Sequence, residues 1–459
     1  MKTGDPSAAL RATANDWEEL ASTALVGTDR RPYPGDLLGA AAVETVRRRA
    51  GRRPVEPEGE EAAPGEEQEP VGRRAAERLA RIVAGEHERL LPEWLAVAAA
   101  TGRRVPPYVL PELLERGRWD RSVRAHLGVI AGRRGRWLAA RNPAWAYLLD
   151  EPTGETWELG SAADRRAHLR RLRKQDPAGA RRLLETTWER ETPDDRAAFT
   201  EMLADGLSMD DEPFLESALD DRRREVRQEA ANLLTRLPGS RLSRRMAERA
   251  RACLTVTPAA ILVEPPAGCD GVMERDGIRA KPPRGFGERA WWLQQVIARA
   301  PLTMWGEPPE SLLARRIPEW DGEVKAGWVR AAVLQRDPAW ARAMFAWDPI
   351  ADLLEALGPD EQQELAAGFT LGHDLDSQLI MVLGGVSPYW REPLASAVLH
   401  KIVKVAASQP WNLDELVRLA GERLDPGLAP LAESYSPAPA VQRVAASLRF
   451  RADMFKELS

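Results

Sequence analysis

The chain has 459 residues, 44% of them hydrophobic, a formal net charge of −5 and two cysteines. That length suits about three compact domains at roughly 150 residues each, or one elongated repeat body. The charge balance argues against a uniform nucleic-acid coat, and two cysteines exclude a disulfide framework. Trp94–Ala100, the most apolar window, is far short of the ~20 residues that span a bilayer. Met1–Leu10 lacks the apolar run of a secretory signal, so cytoplasm is the expected compartment. Of the 65 basic residues, 7 are lysine and 58 arginine.

Residues 1–50 read as N-terminal helices, with Trp17, Leu20, Ala21 and Ala24 on one face. Residues 51–72 hold seven glutamates among proline and glycine. With so little to bury, they read as a disordered acidic linker or loop. Residues 73–258 read as helical-hairpin repeats. Leu79, Ile82 and Val83 share a face, Pro92 suits the first turn of a helix carrying Trp94, Leu95 and Val97, and Pro106, Pro107 and Pro111 punctuate the next hairpin.

The repeats are clearest over 164–254. Ala180, Leu183, Leu184, Thr187 and Trp188 recur at spacings of three and four, as do Ala198, Phe199, Met202 and Leu203, then Val226, Ala230, Leu233, Leu234 and Leu237. Hairpins open near Asp164, Asp194 and Asp221, a period in the range of helical solenoids. Asn142-Pro143, Asp176-Pro177 and Asp337-Pro338 share a helix-start cassette, an N-cap acid or amide before proline at the first helical position. Residues 259–290 break the period, with strand character at Ala260–Val263 and Val272–Ala280 around Pro265-Pro266. Helices return over 291–459, interrupted near Pro301, Pro308, Pro349, Pro388, Pro410 and Pro426.

Several chemistries have no sequence support. No lysine follows a glycine, so there is no phosphate-binding P-loop, and no serine sits in Gly-x-Ser-x-Gly. His87, His126, His168, His373 and His400 are scattered, and Cys253 and Cys269 have no nearby ligand partner. His373-Asp374 has no further ligand set around it. No catalytic residue, metal or cofactor is therefore expected.

Two basic features remain. Lys281, Arg284, Gly285, Gly287, Arg289, Trp291 and Trp292 lie at a glycine-flanked helix start. They suit either an anion or partner site, or a junction in which the two tryptophans anchor the insert. Arg133, Arg134, Arg136, Arg170, Arg171, Arg173, Arg222 and Arg223 are candidates for a phosphate-neutralising groove.

Asp220-Asp221-Arg222, Val226-Arg227, Ala230 and Leu233-Leu234 resemble the second half of a HEAT repeat, with Asp221 capping and the arginine reaching an adjacent turn's aspartate. The expected fold is all-α: a HEAT-like α-solenoid of helical hairpins with a short β-hairpin or extended insert. Three blocks, Ala24–Arg31, Gly132–Leu138 with Asn142-Pro143-x-Trp145, and Gly285–Leu293, resemble a bacterial family of unknown function with a HEAT-like core. The resemblance implies genomic neighbours: a MoxR-type AAA ATPase, a von Willebrand A-domain protein and a SWIM zinc-finger protein. It therefore implies a non-enzymatic scaffold or adaptor that binds a protein partner. The alternatives are a HEAT-like nucleic-acid-binding or base-excising protein, and an enzyme acting on an anionic substrate at the 281–292 loop.

Overall fold

The computed structural model describes residues 17–33, 36–51, 62–149, 156–160, 162–408 and 413–459. The expectations for residues 1–16, 34–35 and 52–61 and for the break at Pro410 lie outside them. The chain divides into two compact units, 1–64 and 65–459. In the described residues it is all-α apart from one two-stranded hairpin. No described helix is long and apolar enough to cross a membrane.

The first unit has a helix over residues 17–26 and another at Leu37–Gly51. Gly27 ends the former: its φ is +88°, and its N–H returns to the Thr23 carbonyl at 2.9 Å. Leu20 and Thr23 are buried, whereas Leu25, Leu38, Val43 and Val46 are exposed.

In the second unit, capping sets the helix starts. Asp176 accepts from Gly179 N–H at 2.8 Å and Asp337 from Trp340 N–H at 3.0 Å, each with proline at the first helical position. The cassette is a helix-start device, satisfying N–H groups that the first turn leaves without partners. Helices Ala162–Gln175, Pro177–Thr187, Pro193–Met202, Glu212–Ala218, Arg224–Thr235 and Arg241–Cys253 follow the sequence periodicity. They pack on their near neighbours in sequence. Ion pairs link these helices and their turns, Arg166–Asp195 at 2.6 Å, Arg223–Asp194 at 3.2 Å and Arg196–Asp221 at 2.7 Å. Arg196, not Arg227, reaches Asp221; Arg227 folds back onto the Asp221 and Arg222 carbonyls.

In the insert, β1 (Leu254–Val256) pairs antiparallel with β2 (Ile261–Val263), Leu254 opposite Val263. The strand expected at Val272–Ala280 is absent. Asp270 accepts from Met273 N–H at 2.8 Å and starts a short helix, Gly271–Arg275, instead. Gly277, at φ +85°, then turns the chain, and Ile278 is buried.

The described end of the acidic segment is ordered. Glu66 accepts from the N–H groups of Arg133 and Arg134, both at 2.9 Å, which places a carboxylate on the N-terminus of helix Gly132–Arg141. An anion is stabilised there by the unpaired amides and the helix dipole. Arg104 donates to the Gln68 carbonyl at 3.0 Å, and Val71 is buried.

Helix Pro439–Leu458 joins two cores. Val441, Val444 and Leu448 enter the larger one, and Phe450, Met454 and Leu458 the core formed by residues 71–148. Arg78–Glu457 and Arg451–Glu93, both at 2.7 Å, tie the ends together. The first helices of this unit therefore pack on its last one.

Candidate functional site: an arginine-lined cavity

Helix Glu288–Arg299 puts Trp291, Gln295 and Arg299 on one face at steps of four. It lies tightly against helix Asp321–Gln335: a Cβ on Gly327 would come within 2.8 Å of the Ile297 side chain. Close contact of these two helices lets both reach a cavity of about 420 Å³. Gln228 and Asn232 line it from helix Arg224–Thr235, Arg279 from the insert, Val329, Arg330 and Val333 from helix Asp321–Gln335, and Asp348, Ile350 and Asp352 from the segment beyond residue 345. Small-molecule sites span about 300–1,000 Å³, so this space suits a small ligand.

Arg299 is the unusual residue. It is 6% exposed, and its Nε has no hydrogen-bond partner among the described residues. Burial, then the charges of Arg330 and Arg279, pull its guanidinium down to about 10, so it stays charged at neutral pH. A buried cation without a counter-ion is costly and is normally paired. Gly277 lies beside it: a Cβ there would clash with Ala231 Cβ at 2.6 Å and reach ordinary contact with Arg299 Nε at 3.4 Å.

Arg279 is fixed from several sides. Its N–H donates to Gln295 Oε1 at 2.8 Å, and its carbonyl accepts from Gln295 Nε2 at 3.1 Å. Its Nε donates to Gln228 Oε1, Gln228 Nε2 to Asn232 Oδ1 and Asn232 Nδ2 to Glu229 Oε2, each at 3.3 Å. Burial pushes the Glu229 carboxyl above its usual range, against the pull of nearby Arg236 and Arg330.

A second cavity of about 280 Å³ shares Gln228 and Arg279 with the first and is lined by Arg224, Arg227, Glu274 and Lys281. Across both, six cations (Arg224, Arg227, Arg279, Lys281, Arg299, Arg330) face three carboxylates (Glu274, Asp348, Asp352), a local excess of +3 in a chain of net charge −5. Such a cleft attracts anions whatever the overall charge.

The residues singled out at 281–292 divide. Lys281 lines the second cavity and Trp291 the first. Trp292 anchors the insert, donating from Nε1 to the Ala280 carbonyl at 2.8 Å. Arg289 clasps the Pro265 and Pro266 carbonyls at 2.8 and 3.2 Å. Arg284 is exposed, Gly285 has φ +89°, and Gly287 precedes the helix.

The proposed basic groove loses Arg173. It is wholly buried, paired to Asp211 at 2.5 Å and donating to carbonyls of Pro177, Leu203, Asp205 and Gly206. Arg133 is paired with Glu67, and Arg223 with Asp194 and Glu225. Arg134, Arg136, Arg170, Arg171 and Arg222 are exposed.

Sequence reading missed Arg279, Arg299, Arg330, Asp348 and Asp352. One signal was available: Val296-Ile297-Ala298-Arg299-Ala300 sets an arginine inside an apolar run. The sequence model of a family described as being of unknown function matches residues 19–458. No curated protein and no solved structure matches the chain.

Proposed function

We propose that this chain, which belongs to that family of unknown function (DUF5691), is a helical scaffold that holds an anionic ligand between Arg279, Arg299 and Arg330. The observation that carries this reading is Arg299, buried at the cavity with its Nε unpartnered among the described residues. A fold does not retain such a charge for stability, since pairing it or replacing it with an apolar side chain would cost less. An incoming phosphate or carboxylate supplies the missing acceptors, and arginine's planar fork suits both. Calorimetric melting with phosphate and with chloride at matched ionic strength tests the reading. Phosphate is expected to raise the midpoint of the native chain and to leave Arg299→Met unmoved. An equal rise in both would count against it.

A second reading concerns the first unit. Leu25, Leu38, Val43 and Val46, four exposed apolar side chains in so short a unit, favour a protein partner on it. The partner class suggested by the resemblance is a MoxR-type AAA ATPase or a von Willebrand A-domain protein. Co-purification with native partners, compared between the native chain and Leu38→Glu/Val46→Glu, tests it. A partner retained by the variant would remove this surface from consideration.

A further inference from the structure

The cavity also carries negative charge, and that narrows the ligand. Asp348 and Asp352 line the same space as Arg279, Arg299 and Arg330. Neither aspartate forms an ion pair or accepts a side-chain hydrogen bond among the described residues. Five charges of opposite sign thus border one cavity of about 420 Å³ without collapsing onto one another.

The backbone keeps them apart. Arg299 closes helix Glu288–Arg299 and Arg330 sits within helix Asp321–Gln335. The aspartate segment is held from behind: Asp348 N–H donates to the Met344 carbonyl at 2.8 Å, and Gln378 Nε2 to the Pro349 carbonyl at 3.3 Å. Helix Ser377–Gly385 presses on it so closely that a Cβ on Gly385 would lie 2.6 Å from Ala351 Cβ. The same cavity has apolar lining from Trp291, Ala298, Val329, Val333 and Ile350.

We propose that the ligand is dipolar, with a phosphate or carboxylate for the arginines, a short apolar body, and an amine for Asp348 and Asp352. This rests on the anion-site reading and adds the amine to it. A purely anionic ligand would place its charge beside two carboxylates that have no cation partner among the described residues, a like-charge juxtaposition that discriminates against it. A dipolar ligand satisfies both ends, and its amine can also lie against the Trp291 ring, whose face attracts cations.

The test compares ω-aminoalkyl phosphates from ethyl to hexyl with the alkyl phosphate of each length, by titration calorimetry on the full chain. At one or more lengths the amine is expected to tighten binding about tenfold, the effect of one charge-assisted hydrogen bond. Asp348→Asn/Asp352→Asn should erase that preference while alkyl phosphate binds at least as well as before. Asp352→Asn alone, at an exposed position, should reduce the preference in a folded chain. Aminoalkanoates against alkanoates distinguish a carboxylate from a phosphate. Equal binding with and without the amine at every length overturns the dipolar ligand and leaves the anion site standing, as does a preference that survives the aspartate changes. No binding of any of these probes overturns both.

Discussion

Two buried arginines in the same unit live in opposite surroundings. Arg173 meets Asp211 and four backbone carbonyls, so its guanidinium is saturated. Arg299 is nearly as buried, has no acceptor on Nε among the described residues, and feels two more cations. The first is a structural device that joins helix Ala162–Gln175 to the turn before helix Glu212–Ala218. The second costs the fold stability, and on the anion-site proposal a bound ligand supplies the partners it lacks. Burial of a charge therefore does not reveal its role; the completeness of its partners does.

The contrast can be broken by substitution. Arg173→Ala leaves Asp211 to Arg181 (2.9 Å) and the Ser208 N–H, and deprives four backbone carbonyls of their donor. It should lower stability by about 3–5 kcal/mol, read as a drop in the urea midpoint. Arg299→Met should act in the opposite direction. Removal of an uncompensated charge is expected to raise ligand-free stability by about 1–4 kcal/mol, as when buried charges give way to apolar side chains of similar volume. A loss of stability in that variant would mean that Arg299 is structural like Arg173, and the comparison would fail.

Gly277→Ala sharpens the comparison from the side of the cavity. Its φ of +85° and the 2.6 Å approach to Ala231 make any Cβ strained there. The expected loss is about 1–3 kcal/mol, measured by urea titration, with phosphate-dependent stabilisation retained because the clash is with Ala231 and Arg299 is only touched.

The smallest effect concerns pH. Glu229 has its carboxyl raised above 4.5 by burial, so the folded chain keeps a proton that the unfolded chain has released. Stability from this group is then present below the ordinary carboxylate range and falls as pH rises through the raised value. Glu229→Gln should remove that component of the pH slope, seen by comparing urea midpoints of the two chains across mildly acidic to neutral pH. An unchanged slope would mean that burial does not hold the Glu229 carboxyl above its usual range.

Much of the helical order was legible in the sequence. The Asp-Pro starts at 176 and 337 act through one or two residues, and the spacing of Val226, Ala230, Leu233 and Leu234 reports a buried face directly. The strand expected at Val272–Ala280 failed because a local cap, Asp270, outweighed β-branched composition. The glutamates of the acidic segment looked solvated, yet Glu66 caps a helix 66 residues further on at Gly132. Trp291 and Lys281 were visible at the junction; the arginines they accompany were not.

What the sequence determined by itself is the local grammar: where helices start, which face each one buries, and that residues 259–290 would interrupt them. Caps and periodicity depend on neighbours within a turn or two, so single-chain reading reaches them. Tertiary structure alone decided that helix Pro439–Leu458 closes onto the core of residues 71–148, and that Gln228, Arg279, Arg299, Arg330 and Asp352 border one cavity. Those meetings are set by how helices pack across long stretches of chain, and an arginine left unpaired in the interior is recognisable only once every potential partner has been placed around it.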